Sequence, residues 1–141
     1  MSWSTLRTYA DRTHHGKEED ILFRDLAAKT LSPHDQRVMD ELVEEHKYGR
    51  SLVAKLVQAR QDYVQGQEDA LPRTLEQLGA LVAFYPEHIV KEDKDFFPNS
   101  ERYLSAEEQE SMLQEFWQFD QRMIHEKYRR TVADLREQLQ P

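Results

Sequence analysis

Two stretches of the sequence share one pattern: HHGKEEDILF (residues 14–23) and HIVKEDKDFF (residues 88–97). In each stretch a His is followed four residues later by a Glu and then by a second acid, and the stretch ends on apolar residues that include Phe. Positions i and i+4 lie on one face of an α-helix. The pattern therefore predicts two helices, one presenting His14 with Glu18 and the other His88 with Glu92.

Capping and breaking residues divide the rest of the chain into helices. The chain has few glycines and prolines, four and five, which favours helices over a turn-rich sheet protein. The residues that mark helix starts and ends are Ser32, Pro33, Gly66, Pro98, Ser105 and Glu108. They predict four helices, at about residues 3–29, 33–65, 69–97 and 105–139. Long helices with short connections pack antiparallel, so we predict an all-α fold, an up-down four-helix bundle, in one domain over residues 1–141.

Composition and charge exclude several classes of protein. The net charge of −8 disfavours nucleic acid and anionic membrane surfaces as partners. The absence of Cys excludes disulfides, thiolate metal sites and a Cys nucleophile. The N-terminal stretch lacks the apolar segment of a signal peptide, and nothing resembles a membrane span, so we expect a cytoplasmic protein. The sequence contains no Gly-rich phosphate loop and no nucleophile elbow, which favours a binding protein over an enzyme and leaves catalysis open.

The histidines and glutamates extend apolar stripes on three predicted helices. The stripes are formed by Leu6, Ala10, Ile21 and Leu22 on the first helix, Met39, Leu42, Gly49, Val53 and Leu56 on the second, and Leu75, Leu78, Leu81, Val82 and Tyr85 on the third. His46 lies in the middle of the second stripe. A buried carboxylate costs several kcal/mol without a partner, and a metal ion can be that partner while it also takes imidazole lone pairs. A lone His-x-x-x-Glu is usually a solvated pair, but two copies together with His46 favour a metal site for iron, manganese or zinc.

Four segments carry a resemblance to a known family. HHGKEEDILF, ELVEEHKYGR, YPEHIVKEDKDFFP and FDQRMIHEKY make nearly the whole chain similar to the hemerythrin-like, or HHE cation-binding, family. The resemblance implies a non-haem di-iron centre in which His14, His46 and His88 are terminal ligands. It further implies that Glu18 and Glu92 are bridging carboxylates. Iron is the expected cofactor, with zinc or manganese as alternatives, whereas the spacing alone shows a polar cluster able to bind metal.

Further residues are candidates for additional ligands or for groups that support the ligands: His15, Glu19, Tyr85, Asp93 and His125. His15 points about 100° away from His14 on an α-helix, so we expect it to support the site from outside or to lie on the surface. Glu19 and Asp93 are expected to hydrogen-bond ligand imidazoles or neighbouring helices. Tyr85 either lines a small-molecule pocket or packs in the core. His125 is expected at the surface or at an interface.

The resemblance departs from the family's pattern at the N-terminus. Members usually carry a helix with a Glu-His pair ahead of this point, and only MSWSTLRTYADRT precedes HHGKEE. We therefore expect an open metal position, or a replacement ligand from another subunit or from the fourth helix, where His125 is the candidate. Apolar residues lie on two sides of that helix, Met112, Phe116, Phe119 and Met123 on one and Trp117, Ile124, Tyr128 and Leu135 on the other. This predicts a homodimer through the C-terminal helix.

Three functions are consistent with the sequence. The first is an iron protein that binds or senses dioxygen or nitric oxide, or responds to redox state. The second is a helical dimerisation or interaction module whose metal is structural or vestigial. The third and weakest is a di-iron oxidase or peroxidase.

Overall fold

The structure, a computed structural model, describes residues 13–138, without the side chains of residues 127, 130, 131 and 133–138. These described residues form four long helices and no strand. The helices are α1, residues 13–27; α2, Pro33–Val64; α3, Ala70–Lys91, which continues through Glu92–Phe96 and Phe97–Ser100; and α4, Ala106–Gln138. The predicted start of the first helix, with Leu6 and Ala10, lies outside the described residues, as does the side chain of Leu135.

The predicted capping residues begin and end the helices. The Ser32 Oγ accepts a hydrogen bond of 3.1 Å from the Asp35 N–H at the start of α2. Gly66 follows α2 with a φ of 82°, a conformation that glycine adopts without strain. Ser105 and Glu108 form the reciprocal capping box before α4, with hydrogen bonds of 2.8 and 3.2 Å. These cap predictions are confirmed.

Pro98 does not break the chain where the sequence predicts. It lies in the first turn of the short helix Phe97–Ser100, and a 3₁₀ turn, Glu101–Tyr103, follows. Proline is tolerated in the first turn of a helix, where its missing N–H has no intrahelical partner to lose. The helical run therefore extends a few residues beyond the predicted end at residue 97.

The described residues divide into two compact units, residues 25–104 and residues 13–24 with 105–138. In the first unit α2 and α3 form an antiparallel pair around a core of Leu52, Val53, Leu56 and Leu81. An ion pair of 2.9 Å between Arg73 and Asp62 lies near the connection between the two helices. At the other end, Asp35 binds the hydroxyls of Ser32 and Tyr103 and the guanidinium of Arg102.

In the second unit α1 and α4 also run antiparallel. Lys17 lies 3.0 Å from Asp120, and Arg24 lies 2.9 Å from Glu115, so the residue numbers rise on one helix as they fall on the other. Gly16 allows this approach, because a Cβ there would lie 2.8 Å from the Phe119 ring. The prediction of a single domain over residues 1–141 stays a prediction. Among the described residues no helix is both long and apolar enough to cross a membrane.

Burial confirms the second-helix stripe and the described part of the first, and it corrects the third. The second-helix stripe is buried, and Ile21 and Leu22 are buried on α1. On α3, however, Leu75, Leu78 and Val82 are exposed, and Leu81 alone among the predicted leucines faces α2. The sequence prediction was wrong here because apolar residues cover a wider arc of α3 than one neighbouring helix can bury.

The Asp35 cluster predicts a specific acid sensitivity. Hydrogen bonds from Ser32 and Tyr103, together with Arg102, lower the pKa of Asp35 from 3.8 to about 2 against the opposing effect of burial. A carboxyl with a lower pKa in the folded state contributes stability above its unfolded pKa and loses it as the pH falls through its folded pKa. We expect Asp35→Asn to lower the free energy of unfolding at pH 7 by about 1–3 kcal/mol.

The same substitution should flatten the fall in stability between about pH 4 and pH 2, measured by urea unfolding at each pH. Asp40→Asn, at an exposed position of α2, is the control and should leave the profile unchanged. An identical acid-side loss in Asp35→Asn and in the parent protein would contradict this role of Asp35.

Candidate metal centre

Each His-x-x-x-Glu motif ends where its helix widens. Glu18 begins the π-helical stretch Glu18–Phe23, and Glu92 begins the π-helical stretch Glu92–Phe96. In the second stretch the Phe97 N–H donates to the Glu92 carbonyl, five residues back instead of four. Such wide turns change the direction of side chains and often occur at functional sites. The two motifs therefore share a backbone feature that the sequence pattern did not reveal.

The α2–α3 unit buries three of the predicted ligands together. His46, His88 and Glu92 are each no more than 2% exposed. Glu92 Oε1 lies 3.0 Å from His88 Nε2 and 3.4 Å from His46 Nε2. One carboxylate oxygen thus faces the Nε2 atoms of two imidazoles, which belong to different helices. Two imidazoles with one carboxylate are the donor set that non-haem iron uses, so these residues fit the metal that the sequence predicts.

Glu45 fixes the orientation of His88 from the opposite side of the ring. His88 Nδ1 lies 2.7 Å from Glu45 Oε2, and since a carboxylate only accepts, Nδ1 carries the proton. Burial opposes the charged imidazole, but the hydrogen bonds to Glu92 and Glu45 outweigh it and raise the pKa of His88. A ring whose Nδ1–H is held by a carboxylate presents Nε2 to a metal.

Lys91 continues this chain of contacts outward. Its ammonium binds Glu45 and lies 2.8 Å from Glu41. Burial opposes ionisation of Glu45, but hydrogen bonds from Lys91 and His88 outweigh it and lower the pKa of Glu45. Glu45 therefore remains a carboxylate able to hold the His88 ring. Glu45 belongs to no ligand motif and resembles the other acids of a charged helical segment in the sequence. Only the pairing of α2 with α3 brings it to His88.

Aromatic rings cover the other side of His88. The Phe84 ring stacks on the His88 ring with centroids 5.2 Å apart and an interplanar angle of 22°. Gly49 leaves room for Phe84, since a Cβ there would lie 3.2 Å from the ring. Tyr85 lies 6.4 Å from the His88 ring and packs against the Leu52 cluster. Of the two roles left open for Tyr85, packing is the one with an observed contact.

The α1–α4 unit carries the other predicted ligands. His14 Nε2 lies 3.2 Å from Glu18 Oε1, with the His14 side chain 52% exposed and that of Glu18 6% exposed. His15 is only 1% exposed. The surface role left open for His15 is therefore wrong, because residues 13–15 also form a wide turn and the 100° offset of an α-helix does not apply to them. His15 becomes a candidate ligand beside His14.

The remaining candidates are less buried. Glu19 is half-buried on α1, whereas Asp93 is exposed on α3 and His125 is exposed on α4. The expected supporting role of Asp93 has no observed contact with an imidazole among the described residues. The predicted two-sided character of α4 is observed: Met112 is buried and Phe116, Phe119 and Met123 are half-buried, whereas Trp117, Ile124 and Tyr128 are exposed.

Helices that bury imidazoles and carboxylates in this way define a class, the all-α metal-binding domains. The chain belongs to the hemerythrin HHE cation-binding domain family, whose family model matches residues 4–99. The matched range contains both His-x-x-x-Glu motifs and His46, and it ends before α4. No curated protein and no solved structure matches the chain. The predicted family and the predicted all-α, hemerythrin-like fold are confirmed, and the protein is a cation-binding helical domain.

The contact between Glu45 and His88 predicts an effect on metal affinity. Removing a carboxylate that orients a ligand imidazole typically costs 10–100-fold in affinity. We expect Glu45→Gln to weaken metal binding by about that factor, measured by competition with a chromophoric chelator, with little change in helicity. Glu41→Gln is the matched control, because Glu41 shares Lys91 with Glu45 but makes no observed contact with His88. Equal losses in both variants would assign the effect to Lys91 and not to the His88 orientation.

Proposed function

We propose that the protein holds iron on its buried imidazoles and carboxylates and uses it to bind or sense a small diatomic molecule, dioxygen or nitric oxide. The observation that carries this proposal is the buried set of His46, His88 and Glu92. A 2-His-1-carboxylate set is typical of non-haem iron and leaves coordination positions free. A small ligand can then bind directly to the metal.

The proposal includes a second iron held by Glu18 with His14 or His15. Two features support it: the family match covers both motifs, and Glu18, like Glu92, is a buried carboxylate at the start of a wide turn. The free positions on each ion would be available to a ligand of two atoms.

The charges of the buried groups also favour a cation. Burying a carboxylate without a partner costs several kcal/mol, and an ion coordinated by it removes that cost. The Nε2 atoms of His46 and His88 lie 3.4 and 3.0 Å from Glu92 Oε1. A divalent metal would replace the imidazole protons as the positive charge next to Glu92.

Metal content tests the ligand assignment. After anaerobic reconstitution we expect about two irons per chain, as in two-metal helical bundles, measured by elemental analysis. His88→Ala and Glu92→Ala should lose half or more of the iron, whereas His34→Ala should retain it, since His34 is exposed and pairs with Asp95 at 2.9 Å. Comparing His14→Ala with His15→Ala identifies the ligand on α1. Wild-type protein with almost no iron would refute the metal centre altogether.

Gas binding tests the function. The ferrous protein should change its near-ultraviolet and visible absorption when nitric oxide or dioxygen is added, saturating at no more than one gas molecule per iron. The same titration on His88→Ala should give a smaller change, because the iron is incompletely held. Iron-loaded protein that responds to neither gas would contradict the proposal.

A second candidate function is favoured by the exposed apolar residues. Leu75 and Val82 on α3 and Trp117 and Tyr128 on α4 are 60–74% exposed, and large apolar surfaces on soluble proteins mark interaction sites. In that case the metal would stabilise the fold and the protein would act as an interaction module. A gas-insensitive protein whose melting temperature falls by several degrees on metal removal would support this alternative.

A further inference from the structure

We propose that the protein forms a two-fold symmetric homodimer through an exposed apolar face of α3, with the two α3 helices antiparallel. The α3 face consists of Leu71, Leu75, Leu78, Val82, Ile89 and Val90. All six are exposed, by 37% to 74% of their surface. This inference does not depend on the metal centre, because the α3 face and His88 lie on different sides of the helix.

The α3 face contains no charged residue over its whole length. At 100° per residue, the positions that project between its members are Pro72, Gly79, Ala83 and Pro86, all of them uncharged and exposed. The face runs along 20 residues, about 30 Å. Continuous apolar strips of this size are rare on the surfaces of monomeric proteins and mark interfaces. Gly79 in its centre has no neighbour within 4 Å of an added Cβ, which leaves the middle of the face open to a partner.

The spacing of the apolar residues matches a second copy of the same helix. Leu71, Leu75, Leu78, Val82, Tyr85 and Ile89 are separated by 4, 3, 4, 3 and 4 residues. This heptad spacing is typical of helices that pack against another helix along their length. The order of the spacings is the same from either end of the helix. In an antiparallel pair centred near residue 80, residue 71 meets 89, residue 75 meets 85, and residue 78 meets 82 of the second copy, so each apolar side chain has an apolar partner.

The helix dipoles favour the antiparallel orientation over the parallel one, because the positive N-terminal end of each α3 then lies beside the negative C-terminal end of the other. The chain carries a net charge of −8, so two copies repel one another over most of their surface. An uncharged face is where that repulsion is weakest.

The α3 face is about 30 Å long and about 10 Å wide. It is smaller than the roughly 800 Å² per partner of a standard interface, which places the dimer among the smaller specific interfaces. The exposed stripe of α4 is the competing surface. Its members Leu113, Trp117, Ile124 and Tyr128 are 4, 7 and 4 residues apart, but they span only 16 residues, and the polar Gln114 and Gln121 project beside them. We therefore place the homodimer on α3 and not on the C-terminal helix.

Light scattering on size-exclusion chromatography tests which helix holds the dimer. The wild-type chain should show twice the mass of the 16.8 kDa monomer. Val82→Glu should shift the dissociation constant upward by at least 100-fold, because two carboxylates would be buried in the interface. Trp117→Glu on α4 is the matched control and should remain dimeric. Val82 is 74% exposed, so the variant should keep the helicity and melting temperature of a folded monomer.

Two outcomes of that experiment would overturn the proposal. A wild-type protein that stays monomeric at several hundred micromolar would show that something other than a second copy covers the α3 face. Dissociation by Trp117→Glu together with persistence of the Val82→Glu dimer would place the interface on α4.

Single cysteines test the register, because the chain contains no native Cys. Val82→Cys should cross-link to itself with a short bifunctional thiol reagent, since the register places it beside residue 78 of the second copy. Leu71→Cys alone should not, because its two copies would be about 27 Å apart along the helix. A mixture of Leu71→Cys and Ile89→Cys should cross-link. Self-cross-linking of Leu71→Cys would show a parallel pair and would refute the antiparallel arrangement.

Discussion

The contact of Glu92 with His46 and His88 is the interaction on which the α2–α3 unit depends. A carboxylate that is 2% exposed must have partners, and the partners it has lie on two different helices. This requirement admits one register for the antiparallel pair, because sliding α3 by a single turn would remove Glu92 from His46. The apolar cluster around Leu56 and Leu81 fills the space between helices in the same register. Burial of apolar surface supplies the stabilising free energy, and the polar contact supplies the alignment.

Beyond Glu92, ionic contacts extend from the buried imidazole to the protein surface. His88 Nδ1 binds Glu45, Glu45 binds Lys91, and Lys91 binds Glu41, which is 57% exposed at its side chain. Side-chain exposure rises along this series from His88 to Glu41. The cost of burying charge is therefore shared among several residues. The orientation of His88 thus depends on an acid that no ligand motif contains. The Phe84 ring stacks on the face of the His88 imidazole and also restricts its orientation.

The wide turns at Glu18 and Glu92 are a backbone feature that is found in each unit. In both, the residue that begins the π-helical stretch is the buried Glu, whereas His88 lies in an α-helix and His14 lies in a further wide turn, residues 13–15. A π turn inserts an extra residue in the helical repeat and lets the carboxylate and the following Phe both point inward. In the α1–α4 unit the helices can pack closely only because residue 16 is glycine, which leaves room for the Phe119 ring. Family membership accounts for the presence of the motif twice in one chain.

The sequence by itself determined the helices, their caps, the family and the burial of His46, His88 and Glu92, because helical periodicity and capping depend on neighbours within a few residues. The tertiary structure alone decided which distant groups meet. Glu45 and Phe84 reach His88 only through packing, and His15 is buried because a wide turn changed its direction. The exposure of Leu75 and Val82 could not be predicted from helical periodicity either. Periodicity identifies an apolar face of a helix, but it does not show whether another element covers that face. Contacts between helices depend on register and on local departures from α-geometry, and neither is encoded in a spacing of three or four residues.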